Sequence, residues 1–246
     1  MTILNRHTIM TKHPSTVEYN ETDLQTWQTL FNRQVDAVKQ HAYSRFLPAI
    51  EELQLSDHEV PQLSKINSYL YPITGWTLYP VPGLIENAFF FKQMYHRRFG
   101  STTWLRKPEQ LDYLEEPDMF HDIFGHIPLL ANQDITHFLF LLSKIVVYRK
   151  YDPKVVEAVA RLYWYTVEFG LIREHGELKI YGAGILSSIG ETAYCMGPEV
   201  KLTAFDLEQI IQTPYIKDSF QSQYFVINNM ATLYEAGRQL ANKLLI

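Results

Sequence analysis

Two histidines and one glutamate carry the strongest chemical signal in the chain. His121 and His126 lie five residues apart in EEPDMFHDIFGHIPLL, and Glu168 sits in the otherwise apolar stretch WYTVEFGL. A buried carboxylate without a partner carries a large desolvation cost, so Glu168 needs a cation, a proton or a metal. Two imidazoles and one carboxylate with open positions on the far side of the ion form the facial ligand set of non-haem Fe(II) oxygenases. The open positions let oxygen and a second substrate meet at the metal.

Spacing alone leaves two readings open. At ~100° per residue an α-helix places the second ring ~140° from the first. One reading is a metal site; the other is a helix end with His126 as a cap and His121 solvated. The zinc-protease motif sets its histidines at i and i+4 with Glu beside the first. Here the gap is five and the neighbour is Asp122, which counts against that motif. A zinc hydrolase on the same ligands would need a base, for which Asp122 or Glu116 could serve. The other seven histidines have no ligand-spaced partner and read as surface or core.

These residues need elements to hold them. Pro117 suits the first position of a helix, with Glu115 and Glu116 near its positive end. Gly125 and Pro128 should stop that helix soon after His121, because Ile127 precedes a proline; His126 could then swing back towards His121. Residues 153–171 have a strong helical pattern begun by Pro153 and ended near Gly170, with Trp164 and Glu168 on one face. GELKIYGAGILSS reads as a hairpin or strand leading into Ser187.

Upstream, Leu24, Trp27, Leu30, Phe31, Val35 and Val38 recur at helical spacing within 21–53, a segment that Pro48 should end or bend. Residues 61–71 and 88–98 read as helices. Thr77, Tyr79 and Val81 alternate with apolar neighbours and suggest a short strand, and Ser101–Arg106 is extended. From Asp206 on, short helices are expected. The pattern predicts a mainly α chain of α+β type with a few short strands. Residues 1–20 form a loose arm before one catalytic domain over 21–246, with no evident internal boundary.

Composition narrows the function classes. The 246 residues are 46% apolar, 20% charged and 14% aromatic, with a net charge of −5. No basic tract is long enough to neutralise a nucleic-acid backbone. No window approaches the ~18 apolar residues of a membrane span, and the N-terminus lacks the apolar segment of a signal peptide. Cys195 is the only cysteine, so no intrachain disulfide can form. A cytoplasmic setting is expected.

Three motifs in order, EPDMFHDIFGHIPLL, YWYTVEFGL and YGAGILSS, resemble the catalytic domain of the pterin-dependent aromatic amino acid hydroxylases, with the bacterial phenylalanine 4-monooxygenases most alike. TGWTLYPVPGLI and RKPEQLDYLEEPD support the likeness, which runs from about Tyr19 to about Ala231. It implies Fe(II) held by His121, His126 and Glu168, with tetrahydrobiopterin or a related tetrahydropterin as reductant. It places pterin contacts at the backbone of Gly83, Leu84 and Ile85, at Asp122, and at Phe90 as the stacking ring, with Phe89 its rival. Arg106, fifteen residues before His121, would hold the substrate carboxylate, a task suited to a planar guanidinium. Trp164, Pro117 and Phe169 would wall the substrate ring, Tyr163 would face the iron in preference to Tyr165, and Ser187 would help place the substrate. Asp118 is a candidate acceptor for a ligand histidine's second N–H. The implied reaction is hydroxylation of L-phenylalanine to L-tyrosine with O2; the alternative is the same fold acting on tryptophan or at another ring position. Animal members carry a regulatory domain and an assembly helix for which this chain has no room. The expectation is therefore no regulation by that route, and a monomer or small homo-oligomer.

Overall fold

A computed structural model of the chain describes residues 17–112, 114, 116–217 and 219–245. Most of the expected N-terminal arm, and Glu115, lie outside the described residues.

Helix α1 (Glu21–Val38) starts at a capping box in which Asn20 and Asp23 satisfy each other's backbone N–H. Its inward stripe buries Trp27, Leu30, Phe31 and Val38. The break after α1 comes earlier than Pro48. Residues 39–45 leave the helix because Ala42 bridges to Ile180 and the Tyr43 amide donates to the Ile180 carbonyl. Pro48 instead sits in the first turn of α2 (Phe46–Glu52), where a missing N–H costs nothing. Helix α3 (Leu63–Thr74) ends on Gly75, whose φ of 74° is the left-handed cap glycine tolerates best.

Strands β1 (Thr77–Pro80) and β2 (Arg98–Ser101) pair in parallel, joined by α4 (Asn87–Tyr95). Helical backbone resumes at Met119, two residues later than Pro117, because Asp118 acts as the cap and accepts the His121 N–H. That helix does not stop at Gly125. It widens into a π-helical turn over His121–His126 and continues as α5 (Ile127–Leu130). Pro128 is tolerated there as an early residue of the new turn.

Helices α6 (Gln133–Tyr148) and α7 (Pro153–Tyr163) are capped by Asn132 and Asp152. Helix α7 runs into a second π-helical turn over Trp164–Glu168. Strands β3 (Leu171–Glu174) and β4 (Glu177–Ile180) make a hairpin that starts before the stretch 176–188 read as hairpin or strand; only β4 lies within that stretch, and the chain beyond it is helical, as α8 (Ala183–Leu186) and α9 (Ile189–Cys195). Strand β5 (Lys201–Ala204), helix α10 (Leu207–Gln212), strand β6 (Gln223–Ile227) and helix α11 (Ala231–Leu245) complete the chain. The sheet order is β4-β3-β6-β5, with β6 parallel to both neighbours. β6 lies inside a region expected to hold only helices. Its QYFVI run is almost wholly buried, so it lacks the alternation that betrays a half-exposed strand.

The aromatic content goes first into the core. Phe120 and Phe124 stack at 5.0 Å at the first π turn, and Trp27, Phe31 and Phe46 meet them edge-on. The turn bearing both histidines therefore rests on a rigid aromatic bed.

Candidate metal centre

The π turn answers the problem of the five-residue spacing. A helix bonded i to i+5 is wider than an α-helix, and residues five apart return to the same side. The Nε2 atoms of His121 and His126 are 3.1 Å apart. Glu168 ends the second π turn, and its two carboxylate oxygens lie 3.3 Å from His121 Nε2 and 3.1 Å from His126 Nε2. Two helical segments, 42 residues apart from His126 to Glu168, thus bring three donor atoms to one point.

Close packing holds this convergence. A Cβ on Gly125 would come within 2.7 Å of the Ala183 carbonyl, so α8 reaches the first π turn only because residue 125 is glycine. α8 then presents Ser187, whose hydroxyl donates to the Ala183 carbonyl at 2.8 Å. Having used its proton, that oxygen accepts from His121 Nδ1, also 2.8 Å away. His121 is thereby held as the Nδ1–H tautomer, with its Nε2 lone pair aimed at the convergence point. His126 is buried against Phe99, at 4.9 Å between ring centroids, and Tyr163. Burial lowers the His121 pKa to about 4, against a smaller upward pull from Glu168. Burial pushes Glu168 up, but His126 and His121 outweigh it and the net shift is downward. Neutral imidazole facing an ionised carboxylate is a donor set that fits a divalent cation.

The triad opens into a cavity of about 690 Å³. Gly83, Leu84, Ile85 and Phe90 line one part of it, together with Asp122. Phe90 meets Tyr163 edge-on at 5.4 Å, whereas Phe89 points outward and is 44% exposed. Thr102, just past β2, donates its amide and hydroxyl to Asp122 at 2.7 and 2.9 Å. Burial raises the Asp122 carboxyl to about 7 in spite of those bonds. Arg106, Pro117, Tyr163, Trp164 and Phe169 also line the cavity, as does Ser187. Tyr165 turns away and donates to the Pro214 carbonyl.

A model of the biopterin-dependent aromatic amino acid hydroxylases matches residues 5–245. The chain belongs to this family. It is 44% identical to the phenylalanine-4-hydroxylase of Chromobacterium violaceum over 219 residues, 89% of this chain and 73% of that protein. It is 41% identical to that of Ralstonia nicotianae, over 89% of this chain and 70% of the relative. The solved structure of the Chromobacterium violaceum enzyme with bound iron(III) and 7,8-dihydrobiopterin superposes with a TM-score of 0.86 at 43% identity, covering 93% of this chain and 84% of that one.

Within this hydroxylase fold, Asp118 sits differently from expectation. Asp118 does not accept a ligand's ring N–H. It is fully buried, takes Arg106 Nε and Nη2 in a two-pronged pair at 2.9 Å each, and also accepts the Arg106 and His121 amides. The ring N–H of His121 goes to Ser187 instead. The pair with Asp118 uses Nε–H and one Nη2–H of Arg106, and among the described residues no side chain takes the remaining guanidinium donors, which face the cavity. Sequence reasoning passed over Thr102, Glu191 and Tyr215, which line the cavity, and Gln221, which lies behind Trp164 and accepts its indole N–H. None belongs to a recognisable motif, and only the fold brings them to the site.

Among the described residues no helix is long and apolar enough to cross a membrane.

Proposed function

We propose that this chain hydroxylates L-phenylalanine to L-tyrosine with O2, using Fe(II) and a tetrahydropterin. The observation that carries the reading is the meeting of His121 Nε2, His126 Nε2 and a Glu168 carboxylate oxygen at the floor of a cavity that also holds a partly free guanidinium. His121, His126 and Glu168 would hold the iron, and bound Fe(II) with the reduced pterin supplies the activation of oxygen.

The chain's own residues do the positioning. Ser187 fixes the His121 tautomer, so the ligand lone pair needs no reorientation when a cation arrives. Arg106, held rigid by Asp118, offers its free edge to the amino acid carboxylate. Trp164, Phe169 and Pro117 form a wall for the substrate ring, with Tyr163 on the His126 side. On the pterin side, Phe90 gives a face to stack on and the Gly83–Leu84–Ile85 backbone gives hydrogen-bonding groups. Asp122 adds a buried carboxyl whose proton affinity lies near neutrality. Apolar walls exclude water and keep the ring close to the reacting centre.

We also propose that residues 21–246 act as one catalytic domain, as a monomer or small homo-oligomer in the cytoplasm. Cys195 is buried and its thiol is pushed up to about 12, mainly by burial, which suits a packing role rather than redox chemistry. The reading is tested by giving the iron- and pterin-supplied protein phenylalanine, tyrosine and tryptophan separately and in competition. Preferential conversion of phenylalanine to tyrosine supports it; preference for tryptophan would reassign the substrate.

A further inference from the structure

Trp164 is gripped from behind by a residue that contributes no ligand or substrate contact of its own. Its indole N–H donates to Gln221 Oε1 at 2.9 Å. Gln221 is 3% exposed, and its amide nitrogen donates to the Ile216 and Ser219 carbonyls at 3.0 and 3.4 Å. Both carbonyls can only accept, so the amide cannot flip without losing every bond it makes. The backbone N–H of Gln221 is anchored on Glu191, which also accepts the Tyr224 hydroxyl. In front, the indole stacks on Tyr215 at 4.6 Å and packs on Phe169 at 4.7 Å. Residues 213–217 and 219–220 have neither helix nor strand to support them. The Gln221 clamp ties this part of the cavity wall to the π turn that ends at Glu168.

We propose that Gln221 is a positioning residue for the aromatic substrate: it fixes the rotation of the Trp164 indole, and through it the wall formed with Tyr215 and Phe169. The inference rests on the reading that this cavity takes phenylalanine. A wall of fixed rotation holds the ring in register, and one free to turn binds it less tightly, so the effect falls on KM more than on kcat.

The test is a set of variants in the iron- and pterin-supplied protein. Gln221→Leu removes both the acceptor and the amide donors. It should raise KM for phenylalanine about five- to tenfold, the scale of one lost hydrogen bond, with a much smaller change in kcat. Gln221→Glu keeps an acceptor for the indole but loses the amide donors to the Ile216 and Ser219 carbonyls, so it should recover only part of the loss. Trp164→Phe removes the indole N–H, and adding Gln221→Leu to it should cause no further loss. A readout independent of turnover is the Trp164 indole cross-peak in a nitrogen–proton correlation spectrum, assigned by its disappearance in Trp164→Phe. It should shift in Gln221→Leu. An unmoved cross-peak, or losses that multiply in the double variant, overturns the proposal. If the unaltered protein makes no tyrosine, the functional reading fails; the cross-peak and calorimetric phenylalanine binding then still decide whether the clamp shapes this wall.

Discussion

His121 and His126 present their Nε2 atoms to each other across 3.1 Å although five residues separate them. An α-helix would turn them apart, and a π turn brings them together. The second π turn does the same service for Glu168, whose neighbour Phe169 donates its amide to the Trp164 carbonyl five residues back. Both widened turns fall at the point where donor atoms converge.

Replacing Glu168 by glutamine keeps the side-chain shape and removes the anionic ligand. Loss of an outer-sphere partner already costs about 10- to 100-fold in metal affinity, so Glu168→Gln should weaken iron binding by at least that much. Equilibrium dialysis against Fe(II) under anaerobic conditions measures it. Full iron content together with full activity would rule out Glu168 as a ligand.

Ser187→Ala removes the acceptor that selects the His121 tautomer. The ring can then carry its proton on either nitrogen, and iron affinity should fall about 10- to 100-fold while the fold persists. Ser187→Thr keeps a hydroxyl and should lose less, provided its extra methyl is accommodated. Iron affinity measured alongside far-ultraviolet circular dichroism separates ligand tuning from unfolding.

Arg106 and Asp118 form a buried pair, with side chains 9% and 0% exposed. Arg106→Ala strands the Asp118 carboxylate and should destabilise the protein by about 3–5 kcal/mol. Denaturant unfolding reads that loss. Arg106→Lys keeps the charge but not the two-pronged geometry, so phenylalanine KM should rise by about tenfold or more even where stability is partly retained.

The metal-free protein should lose stability on acidification from a specific source. His121 titrates near 4 when folded and about 6.5 when unfolded. Between those values the unfolded chain binds the extra proton, so this contribution is fully present above pH ~6.5 and is lost as pH falls towards 4. Asp122, raised to about 7, acts in the opposite sense over the same window, so the His121 contribution is read as a difference: as pH falls from ~6.5 to 4, the urea midpoint of the metal-free protein should lose ground relative to that of His121→Asn. Equal slopes in the two proteins would remove His121 as the source.

The parts of this architecture that follow a single periodicity were legible in the sequence. The starts of α1 and α7 and the presence of β4 match their expected places, because those patterns report one buried face or a capping residue, whereas α1 stops well short of Pro48 and the hairpin begins at Leu171. The π turns were not legible, since Gly125 and Pro128 look like a helix stop until packing against α8 makes the glycine a point of close approach. β6 escaped because a fully buried strand shows no alternation. The triad itself stood out through residue types and motif order. Ser187 stood out through its motif, but its role on His121, 66 residues away, did not, and Gln221, 57 residues from Trp164, gave no signal at all. A lone polar residue in no motif has no signal until the fold gives it a partner.

The most direct measurement is an aerobic incubation of the protein with Fe(II), tetrahydropterin and phenylalanine, with chromatography of the products and a chelated control. The account predicts tyrosine, formed only when iron and pterin are both present. Tyrosine formed equally in the chelated control, or no hydroxylated product from phenylalanine under any of these conditions, would contradict it.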